Sequence, residues 1–92
     1  MIKILKKKNN ITFRTLIIEN DKQARFRLIK LLLNYPDQIE NIGFARNGKN
    51  GLEKINQLKP SLICLDIQMP GMNGFEMLSK LKRIPLFIFR NA

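Results

Sequence analysis

The sequence predicts an α/β fold, a doubly wound parallel sheet, and three observations carry that expectation. Apolar runs of strand length, at Leu16–Ile18, Ile39–Ala45, Leu62–Leu65 and Leu86–Phe89, alternate with stretches of helical periodicity. The third run, Leu62-Ile63-Cys64-Leu65, contains no polar break, which is the pattern of a parallel strand covered on both faces. The first and third runs end directly on carboxylates, Glu19 and Asp66. Open α/β sheets bind ligands just outside the carboxyl ends of their strands, so these acids stand where a site is expected.

Met1 to Arg14 reads as a basic N-terminal extension holding five of the seventeen Lys and Arg residues, ahead of a domain over 15–92. Lys6-Lys7-Lys8 is open to two readings, a contact for nucleic-acid phosphates or a solvated tail. Leu16-Ile17-Ile18 is the first strand. Asn20, three residues before Gln23, suits the N-cap of the first helix, and Asp21 falls in the first turn, where the helix dipole favours an anion. That helix is expected to reach about Asn34. Ala24, Leu28, Leu31 and Leu32 form its inner stripe, and Phe26, Ile29 and Leu33 widen it enough to call for neighbours on more than one side.

Tyr35-Pro36-Asp37 breaks the helix, Ile39–Ala45 forms the second strand, and Asn47-Gly48 turns the chain. A second helix spans about Asn50 to Leu58, facing inward with Leu52, Ile55 and Leu58, and Lys59-Pro60 stops it. The central strand and Asp66 follow. After the Pro70-Gly71 turn, Asn73 and Glu76 have the spacing of a capping box. The third helix is expected over Gly74 to Arg83, presenting Phe75, Leu78 and Leu81 with Met77 beside them as core. Pro85 then separates off the last run, Leu86–Phe89.

Length and composition narrow the classes. A domain of 92 residues buries roughly 60–65% of the surface its unfolded chain exposes, which is a marginal core. Hydrophobic residues make up 45%, enough to exclude a disordered chain. Cys64 is the only cysteine and sits mid-strand, so it is read as core packing in a chain suited to a reducing compartment. No apolar run approaches the ~20 residues that span a bilayer, and a cytoplasmic location is expected. Histidine is absent, so the chain could receive a phosphoryl group but not supply one from histidine.

Leu65 to Glu76, Leu-Asp-Ile-Gln-Met-Pro-Gly-Met-Asn-Gly-Phe-Glu, resembles the phosphoacceptor segment of the response-regulator receiver domain, with its Asp at a strand end followed by Met-Pro-Gly-x-x-Gly. Thr15 to Arg25 resembles the family's first strand, acidic cluster and first helix, most closely in LytTR-type regulators. The resemblance implies a flavodoxin-like (CheY-like) sheet of order 2-1-3-4-5, incomplete here as β1-α1-β2-α2-β3-α3-β4. Strands 1 and 3 then flank the topological switch point and bring Glu19, Asn20 and Asp66 together.

By that resemblance Asp66 is the phosphoacceptor in two-component phosphorelay signalling. Glu19, Asn20, Asp66 and the backbone carbonyl of Gln68 hold Mg2+, and Asn91 takes the phosphate-switch position. A sensor histidine kinase or phosphotransfer protein is the implied partner, and no enzymatic activity of the chain's own is expected. Two departures from the family matter. Glu19-Asn20 stands where two aspartates are usual, so magnesium binding is expected to be weak, and Asn20 is open to a second reading as a helix cap. The family's fourth helix, fifth strand with its phosphate-binding lysine and fifth helix have no counterpart after Ala92. Phosphotransfer is therefore expected to be impaired, and the exposed last strand to pair with another chain.

Rival readings remain. A net charge of +10 suits phosphate-backbone binding, yet the basic residues are spread over every helix and no nucleic-acid-binding motif accompanies them. The other rival shares the fold, a degenerate receiver that works only as an interaction module.

Overall fold

The structure of the protein, a computed structural model, describes residues 11–90. The Lys6–Lys8 run and Asn91 lie outside the described residues. Seven elements follow one another: β1 Phe13–Ile18, α1 Lys22–Leu32, β2 Ile39–Ala45, α2 Gly48–Leu58, β3 Leu62–Asp66, α3 Gly74–Ser79 and β4 Leu86–Arg90. All strand pairs are parallel and the sheet order is β2-β1-β3-β4, the doubly wound arrangement expected.

Successive side chains on a strand point to opposite faces, and this sorts the core into two layers. Leu16, Ile18, Ile63 and Leu65 pack with Ala45, Ile55, Met77 and Leu78 on the side of α2 and α3. Ile17 and Cys64 point the other way, toward Leu28, Ile29 and Leu32 of α1 and Tyr35 beyond it. Burying each large aliphatic side chain contributes about 1.5–3 kcal/mol, so β1 and β3, buried on both faces, anchor the fold.

The cap of α1 differs from expectation. Asp21 caps it, its Oδ1 accepting the Gln23 N–H at 3.2 Å, and Asn20 lies outside. The helix also ends at Leu32, short of Asn34. Its inward stripe is Ala24, Leu28 and Leu32 with Ile29, whereas Phe26, Leu31 and Leu33 are exposed. At about 100° per residue Phe26 and Leu33 fall on the side away from the sheet, and Leu31 stays outside the stripe.

Asn47 caps α2, its Oδ1 accepting the Asn50 N–H at 2.7 Å, so the helix begins at Gly48 and not at Asn50. It stops at Lys59, which takes a left-handed φ of 48° ahead of Pro60. Arg14, placed in the extension by sequence, lies in β1, and its guanidinium donates to the Leu58 and Lys59 carbonyls at 2.8 Å each. These are carbonyls that a helix end leaves without partners.

The Asn73–Glu76 capping box is present at the start of α3. The helix nevertheless ends at Ser79 and not at Arg83: the Lys80 and Leu81 N–H groups donate three residues back, to Met77 and Leu78. Ile84 precedes a proline and is disfavoured from helical backbone, and Lys82-Arg83 offers no apolar face to hold a further turn. Met77 is fully buried in the core, as expected, whereas Phe75, expected on the same inward face, is exposed.

Candidate functional site

Two acids are buried at the carboxyl end of the sheet. Glu19 follows β1 and is 1% exposed; Asp66 ends β3 and is 3% exposed. Strands β1 and β3 are direct neighbours in parallel register, Ile18 beside Leu65, and this brings both carboxylates to one end of the sheet. Sequence order alone separates them widely; the crossover through α1, β2 and α2 joins them.

Each acid is held by local backbone. Glu19 Oε2 accepts the Asp21 N–H at 3.1 Å, while the Glu19 carbonyl accepts from Arg25 Nη1 at 2.9 Å. The Arg25 guanidinium carbon lies 4.5 Å from the centre of the Phe44 ring, which fixes the side chain that holds this turn. Asp66 Oδ1 accepts the Gln68 N–H at 3.1 Å, a tight turn that carries the chain away from β3. Gly74 then lets α3 return close to that turn. A Cβ there would stand 3.0 Å from the Asp66 carbonyl oxygen and 3.2 Å from the Ile67 Cα, backbone atoms that cannot yield cheaply.

The residue that sequence reasoning missed is Arg90. It ends β4 in register with Asp66. Its Nε donates to Glu19 Oε1 at 2.5 Å, and its Nη2 lies 4.0 Å from Asp66 Oδ2. The signal was present: β3 and β4 are apolar runs that each close on a charge, and setting them in parallel places Arg90 against Asp66. Reading the strand as ending at Phe89 hid it.

Burial and neighbours set the two acids apart. Burial raises the Glu19 carboxyl, but hydrogen bonds from Arg90, the Asp21 N–H and the neighbouring Asp66, with the Arg90 charge, outweigh it and leave the group below its ordinary value. Asp66 moves upward, through burial first and then through its hydrogen bond with Glu19 and the Glu19 charge, against the Gln68 N–H and Arg90. Glu19 is therefore the firmer anion, and Asp66 the acid that gains most from a second cation.

Asn20 and Gln68, the other described candidates, adjoin the two acids in sequence. Asn20 is exposed and lines a separate cleft of about 490 Å³ with Arg46, Gly48, Pro70 and Met72. Gln68 is exposed and enters the site through its backbone N–H. Among the described residues no group of three His, Cys, Asp or Glu side chains is placed to hold a metal.

The family model for the response regulator receiver domain matches residues 15–88, through both acid-bearing strands. The chain belongs to that family. It is thus a receiver domain of two-component signalling. An uncharacterized response regulatory protein of Vibrio cholerae is 47% identical over 79 residues, spanning 84% of this chain and 33% of that protein. A protein-glutamate methylesterase/protein-glutamine glutaminase of Desulfotalea psychrophila is 49% identical over 72 residues, 78% of this chain and 20% of its own length. The receiver thus spans a third or less of these relatives. The crystal structure of the response regulator domain of Thermotoga maritima CheB superposes with a TM-score of 0.79 at 32% identity, covering 88% of this chain and 61% of that one. Among the described residues no helix is long and apolar enough to cross a membrane.

Proposed function

We propose that this receiver accepts a phosphoryl group on Asp66 from a histidine kinase or phosphotransfer protein in the cytoplasm. The observation that carries the reading is the burial of Asp66 beside Glu19 at the switch point of the sheet, with a cation from β4 across both. An Asp66 carboxylate oxygen attacks the phosphorus. The new O–P bond forms as the donor's P–N bond breaks, and the electron pair leaves with the imidazole nitrogen. Burial slows this attack by favouring the protonated carboxyl; the Gln68 N–H and Arg90 oppose burial and favour the nucleophilic form.

Magnesium takes one or two carboxylates and keeps several waters, and the pair of Glu19 and Asp66 fits that demand. These side chains and the Gln68 carbonyl would hold it, with Asn20 offering at most an uncharged amide oxygen, so binding is weak. When bound, the ion supplies positive charge to the phosphoryl oxygens. The chain's own residues orient the nucleophile: the Gln68 N–H fixes one Asp66 oxygen, and Gly74 keeps α3 against the turn that carries it.

Acetyl phosphate with Mg2+ tests the reading. Intact-mass spectrometry is expected to find one base-labile phosphoryl group on the unmodified chain and none on Asp66→Asn. No adduct on either, from a protein with dispersed amide resonances, would reject the phosphoacceptor role and leave a receiver that acts only through its surface. The exposed apolar side chains of β4 favour that second reading.

A further inference from the structure

We propose that Arg90 is a built-in counter-cation of the acid pair, a latch that a divalent ion must displace before it can bind. The inference rests on Glu19 and Asp66 forming the receiver's phosphoryl site.

Arg90 comes from a third strand and reaches both acids, closing on Glu19 and standing 4.0 Å from Asp66. Two carboxylates buried side by side repel one another, and one cation between them removes most of that cost. A guanidinium keeps its proton at any pH a protein survives, so the compensation never switches off. Among the described residues no buried side-chain nitrogen or oxygen lacks a hydrogen-bond partner.

The same contact restricts the site. Glu19 Oε1 accepts from Arg90 Nε and Oε2 from the Asp21 N–H, so a cation shared with Asp66 competes with a donor at either oxygen, and the Arg90 side chain is the donor that also carries charge. Binding therefore requires Arg90 to swing away, and the Arg90 side chain, 30% exposed, has solvent to move into. Affinity is then reduced by the fraction of time the latch is open. Weak magnesium binding thus has a second cause besides the amide at Asn20, and this one is reversible.

Isothermal titration with Mg2+ compares the unmodified chain with Arg90→Met, which keeps length and apolar bulk but removes charge and donors. The variant is expected to bind roughly tenfold tighter, and to lose thermal stability without Mg2+ that Mg2+ restores. Equal affinities, including no measurable binding by either, overturn the latch. If Arg90→Met does not fold, the unmodified chain decides. Mg2+ that shifts the Asp66 and Gln68 amides must also shift the Arg90 Nε–H resonance, and an unmoved Nε–H overturns the proposal. Phosphoryl transfer to Asp66 is read separately by mass, so a receptive Asp66 with equal Mg2+ affinities sinks the latch and spares the acceptor.

Discussion

β3 and β4 are neighbours in the sheet and read alike, Leu-Ile-Cys-Leu-Asp beside Leu-Phe-Ile-Phe-Arg, paired in parallel residue for residue. Every residue of β3 is buried; β4 is exposed or half-buried along its length. Leu62 and Leu86 are register partners of the same type, at 8% and 62% exposure. The two strands differ in what lies on them. β3 has β1 and β4 on its flanks and a layer on each face, whereas β4 pairs with β3 alone among the described residues. An apolar run reports the cover a strand is built to receive; the surrounding elements decide how much it gets.

The largest test of that contrast uses the register pair. Leu62→Ala removes a buried side chain and should lower unfolding stability by about 2–5 kcal/mol, while Leu86→Ala, at an exposed position, should stay within about 0.5 kcal/mol. Urea denaturation of the two variants at low protein concentration measures both. Similar losses would show that β4 is covered in solution, and would break the comparison.

Cys64, in the middle of β3, gives a second probe. Burial raises its thiol from an ordinary 9.0 to about 11. The fold favours the protonated thiol, so between these values the unfolded chain has released the proton and the folded chain still holds it. Stability is therefore full below about pH 9 and falls as pH rises toward 11, by roughly 2–3 kcal/mol at most. Unfolding midpoints across that range should drop more steeply for the unmodified chain than for Cys64→Ala. Parallel slopes would mean that the centre of β3 admits water.

The same contrast explains what the sequence made legible. The strands could be read because a strand covered on both faces leaves an unbroken apolar run closed by a charge or a turn. Glu19 and Asp66 could be read because each directly follows such a run. The outer side of α1 could not: Phe26, Leu31 and Leu33 are as apolar as Leu28 and Leu32, so period alone could not choose the face. Arg90 was hidden for another reason. Its partner Glu19 is 71 residues away in sequence, and only the register between β3 and β4 places the guanidinium over both acids. Local chemistry signals the carboxylates, but the cation that compensates them is a product of topology.

The smallest effect on the fold, and the most direct test of the exposed side, comes from Ile88→Lys. Ile88 is 47% exposed in the middle of β4 and pairs with Cys64. An edge strand rich in Phe, Ile and Leu is a template for pairing with another chain, and lysine is the residue that natural edges use to prevent it. In sedimentation the unmodified chain should associate as concentration rises, and the lysine variant should remain monomeric with its unfolding stability within about 0.5 kcal/mol. If both associate equally, the contact lies elsewhere, and Phe26 and Leu33 on the outer side of α1 are the next apolar groups exposed to make it. If neither associates, the β4 edge is protected in solution by something other than a second copy. The mismatch between its composition and its exposure would then be a tolerated cost and no longer a source of assembly.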